Sequence, residues 1–357
     1  MRNHEITAVQ KLLNDKGNIR EPGWARRPYW QYDRKDIKAP AFRIKEWDYY
    51  LIIHDGKYDG TESFAAAFTL SDDGYIGLQS VSLLHLDEED PHEHTETVLN
   101  VFPMGKMNFP KTPEKGDVSY EDKRLKLYYR KKENERTISC FFRDFEPGKD
   151  LQAEISLAEP EQDQLVIATP WDKNKHFYYN SKINCLAASG YIEYDGKSYL
   201  FDPEHDYGTL DWGRGVWTYD NTWYWGNGNA TIDGHRFGFN IGYGFGNTAA
   251  ASENILFLDG VGHKLDDVDF GIPNDPDPKA MDGPGYMEEW QLTSSDGRFQ
   301  MSFRPILDRF AKLDYKAIVS DQHQVFGRMS GTVILDNGEA LEIKDLLCFC
   351  EKVHNRY

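Results

Sequence analysis

Asp-Gly or Asn-Gly recurs between runs of alternating apolar and polar residues in this chain. It stands at Asp55-Gly56, Asp73-Gly74, Asp195-Gly196, Asp233-Gly234, Asp259-Gly260, Asp296-Gly297 and Asn337-Gly338. Tight two-residue hairpins need positive φ at both central positions, and these pairs supply it at low steric cost. Asp73-Gly74 separates Phe64–Leu70 from Tyr75–Leu84, and Asp195-Gly196 separates Gly190–Tyr194 from Lys197–Phe201. The pattern predicts an antiparallel, all-β chain with few short helices. Strand spacing leaves sandwich and barrel open, although a partly closed barrel would remove unpaired edges and leave an interior for a ligand.

At 357 residues the chain suits one large or two ordinary domains. The expected division is an arm over 1–40, a first β-domain over 41–160 and a second over 161–357, with the boundary in the polar, Pro-containing stretch Glu159–Lys175. Ile6–Asn14 reads as a short helix and Asp87–Lys115 as loops. A formal charge of −18 repels phosphate backbones, so nucleic acid is not an expected partner. The first residues lack the apolar core of a signal peptide, and no apolar run is long enough to span a bilayer, so a cytoplasmic location is expected. The oligomeric state is not legible. Cys140, Cys185, Cys348 and Cys350 have no zinc-ribbon or CxxC spacing and read as reduced core thiols. His92-Glu93-His94 would place two imidazoles on one strand face, but no third strong ligand follows at a fixed spacing, so no metal is expected. The Gly-rich phosphate loop of nucleotide folds and the Gly-x-Ser-x-Gly elbow are both absent, and no cofactor is expected.

Chemistry-bearing residues concentrate between Leu210 and Phe257. Trp212, Trp217, Tyr219, Trp223 and Trp225 supply a surface on which a flat apolar or sugar-like ligand can stack, or core. From Phe237 to Gly246, aromatic and aliphatic residues occupy one strand face while Gly238, Asn240, Gly242, Gly244 and Gly246 occupy the other. Strand glycines weaken a sheet, so this face must receive another chain segment or a ligand. Arg214 pairs with Asp211 or orients a substrate oxygen. Glu253, ahead of the apolar run Ile255–Leu258, is a candidate general acid, and Asp211 with Glu253 forms the candidate acid/base pair, with Asn254 and Asn240 at the ligand. Glu46 and Asp48 share a strand face with Tyr50 and are expected to point outward as solubilising charges.

These segments bear a family resemblance. Trp24–Pro28, Ile44–Tyr50, His176–Asn180, Leu210–Trp217, Trp223–Trp225, Ser252–Asn254, Gln322–Gly327 and Glu351–Tyr357 are similar, in order, to the bacterial and fungal proteins grouped as domain of unknown function 2804. More distantly, the two-part β pattern resembles the lipocalin-like carotenoid hydratases and tocopherol cyclases. That likeness implies two calycin-type domains and alkene protonation in an aromatic-lined cavity, and it carries over no catalytic residue. The expectation is a cofactor-independent hydratase, cyclase or isomerase binding a small apolar or amphipathic molecule. A glycoside hydrolase and a non-catalytic lipocalin-like binder are the alternatives.

Overall fold

The computed structural model describes residues 2–314 and 319–356; Met1 and Tyr357, which end two of the stretches read above, lie outside them. Among the described residues, two large curled antiparallel sheets form the body of the molecule, beside a two-stranded parallel sheet of Gln10–Lys11 and Trp30–Gln31. The first has 13 strands and runs from His92–Val101 through Ile76–His85, Phe64–Asp72, Ile44–His54, Tyr207–Val216, Phe177–Tyr194, Lys149–Ala158, Glu135–Glu146 and Leu125–Lys132 to Val118–Glu121. The second has nine strands, with Asp220–Ile232, Ala340–Arg356, Val319–Ile334 and Phe299–Asp314 at its centre. Each path has two unpaired ends, so the sheets are half-barrels. Antiparallel all-β architecture is what the alternation predicts, and the calycin-type form is what the resemblance implies.

The hairpin signals resolve into three kinds. Asp195-Gly196, Asp233-Gly234 and Asp259-Gly260 have positive φ at both residues, the geometry that suits a twisted two-residue hairpin. At Asp73-Gly74, Asp296-Gly297 and Asn337-Gly338 only the glycine does. Asp55-Gly56 instead opens a 3-10 turn, Gly56–Tyr58, whose Lys57 amide is held by the Asp55 carboxylate.

Several expectations change. The sheets exchange at Trp217–Tyr219, between Val216 and Asp220, rather than near residue 160. The polar stretch misleads because Leu165–Pro170 within it pairs with the long strand Phe177–Tyr194 of the first sheet. Ile6–Asn14 contains the two-residue strand Gln10–Lys11 and no helix. His92–Val101, expected as loop, is an edge strand; its polar residues on both faces hide the period-2 signal. Glu46 and Asp48 are buried at 2% and 5% exposure, facing the first sheet's interior.

Three apolar clusters organise the packing. One fills the first half-barrel around Trp30, Phe142, Leu157 and Trp212; another fills the second around Phe239, Trp290, Phe303 and Cys350. The third lies between the sheets and joins Trp24, Tyr178, Trp217, Trp225, Ile255, Phe326 and Phe349. The glycine face of His235–Tyr243 packs here. A Cβ on Gly238 would lie 2.7 Å from Cys185 Sγ, where the first sheet bulges and Cys185 adopts a φ of 55°. That face is spent on sheet packing. Arg328 reaches across to Asp55 at 3.0 Å, and the Arg304 and Glu88 side chains bridge the sheets at 2.8 Å.

Candidate active site

Strand register assembles two facing rows of polar residues. On the first sheet, Lys182 pairs with Asp211, Asp211 with Tyr49, Tyr49 with Thr69, and Thr69 with Ser80. Directly paired antiparallel residues share a face, so these side chains line up across five strands. On the second sheet, Trp225 pairs with Glu351, Glu351 with Gln324, and Gln324 with Arg309. Between the rows lies a cavity of about 300 Å³ whose walls include Trp47, Tyr49, Asp211, Trp217, Trp223, Trp225, Phe245, Arg309, Gln324 and Glu351. That volume is at the lower end of ordinary small-molecule sites.

The aromatic walls are locked in place. Trp217 meets Trp47 and Trp223 edge-on at 5.5 and 5.2 Å, and Tyr49 meets Trp225 at 6.0 Å. The Trp225 indole N–H donates to Asn240 at 2.7 Å, and the Lys182 ammonium sits 3.8 Å from the Trp225 ring centroid. Gly213 and Gly215 make room for this arrangement: a Cβ on Gly213 would fall 1.9 Å from Trp47 Cζ2, and one on Gly215 3.3 Å from the Trp217 ring.

Four carboxyl groups line the cavity, Asp73, Glu93, Asp211 and Glu351, and the last two stand among the tryptophans. Asp211 accepts from Asn180 at 2.6 Å and pairs with Lys182 at 2.9 Å, both at Oδ1. Glu351 Oε1 accepts the Trp223 indole N–H and Oε2 accepts the Gln324 amide, each at 2.9 Å. Burial pushes the Glu351 carboxyl up to about 7, against those two hydrogen bonds and Lys182, while the charge of Asp211 adds to the rise. Near neutrality this group is a proton donor matched to its medium. Burial also pushes Tyr49 up to about 12 and pulls Lys45, which faces the charge of Asp73, down to about 8.

Asp211, Trp217, Trp223 and Trp225 come together at the cavity. Glu253 lies behind it, fully buried, accepting the Tyr178 hydroxyl at 2.8 Å with Lys182 at 3.9 Å. Burial raises it to about 7 as well, but its access to the cavity runs through Lys182 and Tyr178. Trp212 and Arg214 point the opposite way, into the first half-barrel, where Arg214 pairs with Asp48 at 2.9 Å and covers the Trp212 ring at 3.8 Å. Neither the Asp211–Arg214 pair nor Arg214 beside a ligand in this cavity is formed. Asn240 supports Trp225; Asn254 holds the Gly242 amide and the Asp266 carbonyl; Tyr219 is 46% exposed and outside the cavity lining. The residues sequence reasoning missed are Lys182, Tyr49, Gln324, Arg309 and Glu351. Alternation carries a signal for the last: Leu347, Phe349 and Glu351 share a face opposite Cys348 and Cys350. His92 stacks on His85, and among the described residues no three His, Cys, Asp or Glu side chains are grouped to hold a metal ion.

Residues 3–357 match the family described as domain of unknown function (DUF2804). The chain belongs to that family. No curated protein matches it significantly. Among solved structures it is similar to a protein from Nitrosomonas europaea provisionally named AttH, with TM-score 0.52 and 13% identity over 91% of this chain and 97% of that one. It is also similar to kievitone hydratase from Nectria haematococca, with TM-score 0.47 and 11% identity over 92% and 93% of the two chains. CghA aligns at TM-score 0.42 and 10% identity over 98% and 97%. At these identities the likeness concerns the fold.

Proposed function

We propose that this protein is an acid/base enzyme of the hydratase, cyclase or isomerase type, acting without a cofactor on a small amphipathic molecule held between the sheets. The observation that carries this reading is Glu351, a buried carboxyl poised near neutrality and aimed into an aromatic-walled cavity that it shares with Asp211. In its protonated form Glu351 delivers a proton to an alkene or enol carbon. The positive charge that develops is stabilised by the Tyr49, Trp223 and Trp225 ring faces. Asp211, held by Lys182 and Asn180, accepts the proton released when water, an internal nucleophile or loss of a neighbouring hydrogen completes the reaction. Trp223 and Trp225 are fixed by their own indole hydrogen bonds, so these rings are organised before the substrate arrives. Nothing in this geometry favours glycosidic cleavage.

All three chemistries place a solvent proton on carbon. The ligand that copurifies with the protein, identified by native mass spectrometry, is incubated in D₂O with the wild-type protein, with Glu351→Gln and with Asp211→Asn. Deuterium should enter carbon in the wild type and not in Glu351→Gln. Equal incorporation in all three proteins, or none in the wild type, contradicts the reading.

A further inference from the structure

We infer that the substrate carries a carboxylate and that Arg309 is the residue that receives it. The inference rests on the acid/base reading of the same cavity and names the class of molecule it takes. Arg309 lines the cavity at the end of the row Trp225, Glu351, Gln324, Arg309, and the neighbouring Phe310 is 51% exposed on the cavity wall. One guanidinium nitrogen donates to Gln324 Oε1 at 2.9 Å and the other to Ser82 Oγ at 2.7 Å. Both acceptors are neutral, and among the described residues no carboxylate lies within 4.0 Å of Arg309. Elsewhere the buried or sheet-bridging guanidinium groups have acid partners: Arg214 has Asp48, Arg136 has Glu159, Arg328 has Asp55 and Arg304 has Glu88.

A half-buried cation neutralised only by dipoles is costly unless an anion completes it. A planar two-oxygen anion suits the guanidinium fork, which presents paired donors. A carboxylate fits better than a phosphate because Glu93 and Asp211 also line the cavity and would repel a dianion more strongly. The cavity is therefore polarised along the second-sheet row. Arg309 binds the charged end of the substrate, the rings of Tyr49, Trp223 and Trp225 hold its apolar body, and Glu351 meets the reacting carbon. Gln324 joins the two ends, accepting from Arg309 and donating to Glu351.

The test uses matched probes: cinnamate, 4-phenylbutyrate and decanoate against the corresponding primary alcohols, titrated calorimetrically into the wild type, Arg309→Gln, Arg309→Lys and Glu351→Gln. The wild type should prefer the carboxylates by ~10-fold or more, the range of a charge-assisted hydrogen bond. Arg309→Gln should lose that preference while its alcohol affinities hold, and Arg309→Lys should keep part of it. Melting temperatures of both Arg309 variants separate loss of an anchor from loss of the Ser82–Gln324 bridge. No carboxylate binding, no preference in the wild type, or an undiminished preference in Arg309→Gln overturns the inference. Glu351→Gln separates the two readings: it should keep the preference while losing deuterium transfer. An intact preference without deuterium transfer in the wild type leaves the anchor standing and removes the chemistry.

Discussion

The strand Tyr207–Val216 presents a buried ionic group to each side, and the two surroundings could hardly differ more. Toward the first half-barrel, Arg214 donates to Asp48 and to the carbonyls of Trp47, Gly213 and Pro110, over the Trp212 ring. Glu46 beside it accepts from Tyr32 at 2.8 Å and Arg34 at 2.5 Å. Toward the second sheet, Asp211 is paired with Lys182, but the space in front of it is a cavity of about 300 Å³. Burying charge does not by itself mark a functional site. The cluster around Arg214 is closed by protein groups and serves the fold, whereas the one around Asp211 and Glu351 borders the cavity in which we propose that a ligand binds.

The sharpest way to break this comparison is to remove one group from each side. Glu351→Gln keeps the shape and one of the two accepted hydrogen bonds, so turnover should fall ~10²–10⁴-fold, the usual worth of a positioned acid, with a stability loss of only about 1 kcal/mol for the bond the amide cannot accept. Arg214→Met should do the reverse by stranding Asp48 and Glu46, at a cost of about 3–5 kcal/mol in urea unfolding. If Arg214→Met unfolds like the wild type and merely loses turnover, the assignment of the two faces is inverted.

Gly213→Ala tests the space between the faces. Its Cβ must displace the Trp47 ring, which costs about 1–3 kcal/mol by overpacking and should weaken ligand binding, measured by titration. An unchanged stability would mean that Trp47 does not rest on this backbone.

The smallest expected effect concerns pH. Glu253 is raised in the folded protein from an ordinary 4.5 to about 7. The folded state therefore holds its proton more tightly than the unfolded chain, and the associated stability is complete below 4.5 and lost as pH rises toward 7. Glu253→Gln should flatten that part of the stability–pH curve, read from melting temperatures between pH 4.5 and 8. Turnover has the same sign through Glu351, falling as pH rises through about 7.

Much of the fold is legible in local chemistry. Asp195-Gly196, Asp233-Gly234 and Asp259-Gly260 specify hairpins through their own backbone preferences, and the aromatic alternation marks the strands. Leu165–Pro170 shows why the boundary is not legible: partner choice is a long-range property, and a polar flank does not encode it. The site divides in the same way. Asp211, Trp217, Trp223 and Trp225 stand out by composition, yet Glu351, Gln324 and Arg309, which complete the cavity wall, come from strands far along the chain. Parity was available for one further step. Asp211 and Arg214 are three residues apart, so a regular strand sends them to opposite faces. Glu351 was also visible as an acid sharing the alternation of Leu347 and Phe349.

The central claim is that the ligand lies between the half-barrels, beside Glu351. A crystal structure of Glu351→Gln with its copurified ligand trapped tests this most directly. Ligand density framed by Tyr49, Trp217, Trp223 and Trp225, with its reacting carbon against residue 351 and its charged end at Arg309, is the expected result. Density inside either half-barrel, with the space between the sheets empty, would contradict it.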